Sequence, residues 1–186
     1  MMLAIHIAVI LITLGITADN LVLSKMSLNT ILFMKSRKAI LLLIVLFTIQ
    51  LQVLKYGDWC ARLLTSGTKN QDKWIALIML FSVAIKMLQE FKLKIIRNNK
   101  IHLELDDFLN ISFATSMYVF VLGFAFRLLD IDEPIIYKTV IPCLLFPLLM
   151  GWFIKRFNTD KAIWLTKALA ILMIFTGVSI FLINTI

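Results

Sequence analysis

An aspartate lies within a long apolar run near the start of this chain, in Leu14-Gly15-Ile16-Thr17-Ala18-Asp19-Asn20-Leu21-Val22-Leu23-Ser24. Residues 1–18 contain no Asp, Glu, Lys or Arg, and the first basic residue after Asp19 is Lys25. If Lys25 marks water, Asp19 sits roughly 9 Å inside that boundary at a helical rise of 1.5 Å per residue. A carboxylate at such depth costs about 2.5–3.5 kcal/mol on insertion scales unless something compensates it. Acids are kept in membrane helices mainly along ion pathways, so Asp19 points at the function. Asn20 is about 100° further round the helix, and Ser24 falls one turn beyond Asn20 on the same broad face. Carboxylate, amide and hydroxyl oxygens are hard ligands suited to Mg²⁺, Mn²⁺ or Ca²⁺. The structural alternative is an Asp–Asn pair that only joins helices.

Other polar residues interrupt later apolar runs. Gln50 and Gln52 sit in the second, and interhelical hydrogen bonding is the simpler role for Gln52. Thr115, Ser116 and Tyr118 occupy the middle of the fourth run. The two hydroxyl residues can bond the preceding turn or bridge to another helix. A neutral phenol such as Tyr118 is a poor divalent-cation ligand, because its pKa is about 10. Lys86 and Glu90 are spaced i, i+4 and read as a boundary ion pair. Asp130, Asp132 and Glu133 precede Pro134, a pattern that favours a helix start. His6, His102, Cys60 and Cys143 converge on nothing in sequence, which leaves neither a disulfide framework nor a zinc site. There is no Gly-rich phosphate loop, nucleophile elbow or catalytic carboxylate pair, so an enzyme is not expected and no cofactor is implied.

The elements that hold these residues are apolar helices. The chain is 61% hydrophobic over 186 residues, with a mean hydropathy of +0.94. Uncharged runs fall at 1–18, 39–54, 74–85, 108–126, 139–154 and 168–186. A spanning helix needs roughly 20 mostly apolar residues. The runs predict an all-α membrane protein of six transmembrane helices in a single domain over 1–186. Run 74–85 must extend to about Phe91, with Lys86 snorkelling or paired. The amino terminus lacks a basic n-region, which argues against a cleaved signal. The helices divide three and three about a basic linker at 92–107, so repeat 1 covers about 1–91 and repeat 2 about 108–186. An odd number of spans per half forces the halves into opposite orientations, the inverted-repeat plan of many transporters. Residues 16–24 line up with residues 115–123, matching hydroxyls, a Val-Leu pair and a closing small residue. In the fifth run Pro142 and Pro147 free backbone carbonyls, which then need a hydroxyl, another helix or a wet cavity.

The net charge of +8 does not indicate nucleic acid. Twelve basic residues lie in alternate loops: Lys25, Lys35, Arg37 and Lys38; Lys92, Lys94, Arg97 and Lys100; Lys155, Arg156, Lys161 and Lys167. The opposite loops hold six, Lys55, Arg62, Lys69, Lys73, Arg127 and Lys138, diluted by acids such as Asp58 and Asp72. By the positive-inside rule both termini face away from the cytoplasm, and the partner implied is a lipid bilayer.

Together these motifs resemble the MntP-type manganese efflux pumps, six-span proteins of bacterial inner membranes. Asp19-Asn20-Leu21-Val22-Leu23-Ser24 resembles the family's Asp-Ala-Phe-Ala-Val-Ser. Gln50 and Gly57 match a glutamine or glutamate seven residues before a glycine. Lys73-Trp74-Ile75-Ala76-Leu77 and Lys86-Met87-Leu88-Gln89-Glu90 resemble a third motif. Ala114-Thr115-Ser116-Met117-Tyr118-Val119-Phe120-Val121-Leu122-Gly123 resembles Ala-Thr-Ser-Ile-Asp-Ala-Leu-Ala-Val-Gly. Tyr118 thus stands where the family has its second membrane aspartate, which removes one of two symmetry-related charges. The resemblance implies an inner-membrane exporter of Mn²⁺ or another divalent cation, working by alternating access and driven by a proton gradient. The substrate-binding residues would be Asp19, Asn20, Ser24, Gln50, Thr115, Ser116 and Tyr118, with Asp19, Asn20, Gln50 and Ser116 as metal ligands. The alternative, favoured by Tyr118, is a degenerate membrane subunit or scaffold that no longer transports and instead binds a protein partner or a second copy.

A reporter fused at Ile186 tests the orientation: it should be active outside the cytoplasm, and cytoplasmic activity would refute the six-span arrangement or its direction.

Overall fold

The structure, a computed structural model, describes residues 2–30, 36–65, 69–97, 105–153 and 159–185. Among the described residues seven helices follow one another: α1 (Met2–Thr17), α2 (Asp19–Thr30), α3 (Ser36–Leu64), α4 (Lys69–Arg97), α5 (Leu105–Leu128), α6 (Glu133–Phe153) and α7 (Thr159–Thr185). Among the described residues there is no strand. Four stretches among the described residues are long and apolar enough to cross a membrane: Ala4–Ser24, Ile40–Leu64, Phe108–Leu128 and Glu133–Gly151. Within α7, Lys167–Ile183 is a shorter apolar stretch. The chain is an all-helical, multi-pass membrane protein.

The first apolar run is not one helix. It breaks at Ala18, immediately before Asp19. Around the break the backbone bonds tighten to i→i−3 spacing, from Ala18 N–H to Gly15 O at 3.4 Å and from Leu21 N–H to Ala18 O at 3.1 Å. Two hydroxyls crowd the turns before it. Thr13 Oγ1 donates to Val9 O at 2.6 Å, and Thr17 Oγ1 donates to Thr13 O at 2.8 Å. Such back-bonding bends helices.

The interrupted helix is the centre of the bundle. In Ala4–Ser24, 67% of the window is buried, against 22% in Ile40–Leu64. α1 packs on α6 and α7, α2 on α5 and α6, α3 on α5, and α4 on α5 and α7. α3 shows what a peripheral position does to a helix. Leu41, Ile44, Val45 and Ile49 form an exposed stripe, whereas Leu46, Gln50, Leu54, Asp58 and Ala61 are buried. An apolar exposed stripe opposite a packed face is the pattern of a helix between lipid and protein. Gln52 is on the exposed face rather than in an interhelical contact.

α3 and α5 meet at two glycines. A Cβ on Gly57 would lie 2.3 Å from Phe120 O, and one on Gly123 would lie 2.4 Å from Leu54 O. Small residues let membrane helices approach backbone to backbone, which substitutes for the hydrophobic drive that lipid does not provide.

Ion pairs tie the end of α3 to the end of α5 and the start of α6. Arg62 Nη2 stands 2.8 Å from Asp58 Oδ2 and 2.7 Å from Glu133 Oε2, and Arg127 Nε is 3.9 Å from Asp58 Oδ1. The turn between α5 and α6 is closed by its own backbone. Asp130 takes a left-handed φ of 58°, and Ile131 N–H bonds Phe126 O at 3.2 Å. That is a helix stop of the Schellman kind. α6 begins at Glu133, so the acids before Pro134 do start a helix.

Gly57→Ala should destabilise the bundle by about 1–3 kcal/mol, because the added carbon meets fixed backbone. Gly177→Ala should cost less, since its nearest neighbour is a side-chain carbon, Ile12 Cγ1, and its nearest backbone atom is 3.0 Å away. Thermal unfolding of both variants in one detergent checks the order.

Candidate functional site

The break in the first span places Asp19 at the head of α2. The amino-terminal end of a helix carries a partial positive charge, which favours a carboxylate there. Asp19 is buried, with 2% of its surface exposed, and so is Lys167 at 4%. Lys167 Nζ lies 3.6 Å from Asp19 Oδ1. Two opposite charges about 4 Å apart attract by about 4 kcal/mol at an effective permittivity of 20, which offsets much of the burial of either one. The distance is nonetheless beyond the 2.7–2.9 Å of a charge-assisted hydrogen bond. Among the described residues Oδ1, the oxygen that faces the ammonium, accepts no hydrogen bond, a condition that Asp58 Oδ1 shares. Asp19 is therefore compensated in charge without a hydrogen bond at that oxygen.

Sequence reasoning had put Lys167 in a basic loop. It lies inside α7 instead, against the first span. A signal was available: Ile163-Trp164-Leu165 before it and Ala168-Leu169-Ala170 after it leave a lone lysine flanked by apolar residues.

Beside this pair is an amide pair. Asn20 Nδ2 donates to Gln50 Oε1 at 2.9 Å, and Gln50 Nε2 donates to Asn20 Oδ1 at 2.7 Å. Both residues are fully buried. The reciprocal bonds join α2 to α3 and orient both amides. Each carbonyl oxygen keeps a second lone pair for a further donor or a cation. Ser24, the third residue of the predicted face, donates from Oγ to Leu148 O at 2.6 Å and so joins α2 to α6.

Thr17 is a site neighbour that sequence reasoning passed over. Besides its bond within α1, its Oγ1 is 3.1 Å from Cys143 O. Cys143 O is the carbonyl that Pro147, four residues on, cannot reach with an N–H. The single hydroxyl proton of Thr17 is shared between Thr13 O at 2.8 Å and Cys143 O at 3.1 Å, so the carbonyl that the proline leaves without a backbone donor has a shared, longer bond to the first span.

The predicted residues of α5 are placed differently. Thr115 Oγ1 and Ser116 Oγ donate to Ile111 O and Ser112 O, each at 2.8 Å, within their own helix. Tyr118 is buried, and Lys86 Nζ sits over its ring at 5.9 Å from the centroid, a cation–π contact. Lys86 therefore turns towards α5; the Glu90 side chain lies outside the described residues. Among the described residues no three His, Cys, Asp or Glu side chains cluster as a metal site.

A family model described as "Putative manganese efflux pump" matches residues 33–180. The chain belongs to that family. Gln50, Thr115, Ser116, Tyr118 and Lys167 fall inside the matched stretch; Asp19, Asn20 and Ser24 precede it. Neither the curated proteins nor the solved structures offer a match.

The amide pair makes a stability prediction. Asn20→Leu alone leaves Gln50 buried without its partner and should cost about 1–3 kcal/mol, whereas Asn20→Leu with Gln50→Leu should recover most of the loss. Thermal unfolding of the two singles and the double gives the coupling, and additive losses would refute a closed pair.

Proposed function

We propose that this chain, a member of the manganese efflux pump family, exports a cation across the bacterial inner membrane by alternating access, with Asp19 as the charged ligand. The observation that carries the reading is a buried carboxylate oxygen without a hydrogen bond, at a helix break, beside two oriented amides. Discontinuous helices serve transporters because their ends offer what an ion needs: free carbonyls at the carboxyl end of one half and dipole-stabilised anions at the head of the next. Here α1 would supply carbonyls near Gly15 and α2 supplies Asp19. Asn20 and Gln50 add neutral oxygens to that set. Ser24, Thr115, Ser116 and Tyr118 then line or support the path, their polar atoms being engaged elsewhere. Mn²⁺ suits such hard oxygen donors.

Six spans in two inverted halves, 1–91 and 108–186, are part of the same proposal. A correspondence of contacts supports it. Leu21 and Ser24 are each 99 residues before Phe120 and Gly123; Leu54 and Gly57 are each 94 before Leu148 and Gly151. A Cβ on Gly57 would meet Phe120 O, and one on Gly151 would meet Leu21 O and Ser24. A Cβ on Gly123 would meet Leu54 O, and Ser24 Oγ bonds Leu148 O. Under two constant offsets, the α3–α5 crossing maps onto the α2–α6 crossing. Pairing of that kind is what a two-fold axis in the membrane plane produces.

Termini outside the cytoplasm follow from the same arrangement. With Lys167 removed from the loops, eleven basic residues still lie on the proposed cytoplasmic side against six on the other.

Flux of Mn²⁺, Mg²⁺, Ca²⁺ and monovalent ions in proteoliposomes tests the reading. The native protein should carry at least one divalent ion, and Asp19→Asn should reduce that flux at least a hundredfold while the variant still folds. Equal flux in the variant would remove Asp19 from the site. Absence of flux for every ion would leave the chain as a membrane scaffold.

A further inference from the structure

Lys167 is the strongest charge at the site that the transport reading leaves without a task. Its ammonium is almost as buried as Asp19, and no carboxylate other than Asp19 is paired with it among the described residues. At 3.6 Å the two are held by charge rather than by a directed hydrogen bond. Lysine carries a compact charge on a flexible four-carbon stem, which suits a group that moves. An arginine would have locked the carboxylate with a bidentate fork.

Charge counting shows what this means for a substrate. Asp19 contributes one negative charge, Lys167 one positive, and Asn20, Gln50 and Tyr118 none. With the ammonium in place the site is neutral. A divalent cation that reached Asp19 would then stand a few ångströms from a second cation in an apolar bundle, and one carboxylate cannot compensate both. Removing the ammonium without substrate is equally unfavourable, because a bare carboxylate would remain buried.

We propose that Lys167 is a tethered counter-cation. Its ammonium occupies Asp19 when the site is empty and is displaced when a cation binds, so that substrate and lysine exchange at one carboxylate. This rests on the transport reading and adds the residue that sets its affinity. Oδ1, the oxygen that faces the ammonium at 3.6 Å without a hydrogen bond, is the atom at which the exchange takes place. The empty carrier stays electrically neutral at its centre and can change conformation without a bare charge in the bundle. The competition also weakens binding, which favours release on the far side.

The test uses purified full-length protein, Mn²⁺ as the probe, calorimetry for binding and proteoliposomes for flux. Lys167→Met keeps the stem and removes the charge; Lys167→Gln is a second neutral variant that retains polarity; Lys167→Arg keeps the charge. Both neutral variants should bind Mn²⁺ at least tenfold more tightly than the native protein, with a lower maximal flux from slower release. Lys167→Arg should show no gain. Asp19→Asn with Lys167→Met should fold, as thermal unfolding would show, and should bind no Mn²⁺. A folded neutral variant that binds no more tightly than the native protein overturns the proposal. So does failure of both neutral variants to fold, since the lysine would then be a fixed staple. The two readings fail separately. If native flux is absent but Lys167→Met gains Asp19-dependent binding, the competition stands and transport falls. If native flux is present but the gain is missing, transport stands and the competition falls.

Discussion

A carboxylate in an apolar bundle must be given a counter-charge, hydrogen-bond donors or an ion, and the centre of this protein is organised around that requirement. Asp19 receives the head of α2 and the ammonium of Lys167, but its Oδ1 receives no hydrogen bond. Other polar groups nearby are engaged. Asn20 and Gln50 bond each other, Ser24 bonds Leu148 O, and Thr17 bonds a carbonyl freed by proline. The contrast matters because a buried oxygen left without a hydrogen bond is costly unless something comes to occupy it.

The same groups hold the bundle together. The amide pair joins α2 to α3, Ser24 joins α2 to α6, Thr17 joins α1 to α6, and the ion pair joins α2 to α7. The central span is thus joined to its neighbours through polar side chains as well as through close contacts at Gly15, Gly151 and Gly177, while α3 and α5 meet at Gly57 and Gly123. The polar load is also one-sided. Asp19 and Asn20 correspond at the 99-residue offset to Tyr118 and Val119, both buried, and Lys86 rests on the tyrosine ring.

Much of the architecture was legible in the chain. Uncharged runs of the right length, punctuated by basic clusters, place the helices because unsatisfied backbone cannot remain in lipid. Charge-free flanks made Asp19 conspicuous, and the acids before Pro134 marked the head of α6. The break at Ala18 was harder to read. No proline or glycine sits at that position, and the bending hydroxyls of Thr13 and Thr17 are common in membrane helices. Gln52 was misread for a related reason. Only the rotation of α3, set by Gly57 against α5, decides which glutamine turns inward.

Sequence by itself determined that this is a helical membrane protein of one family with a charge deep in its first span, because hydrophobic length and charge are local properties. Tertiary structure alone decided what that charge meets. Lys167 is 148 positions away from Asp19, at the edge of an apolar run that also borders a basic loop. A lysine there can snorkel to water or turn inward, and the helix pattern is the same in both cases. The packing of α7 on α1 turns it inward, and a site expected to offer one bare carboxylate becomes an ion pair.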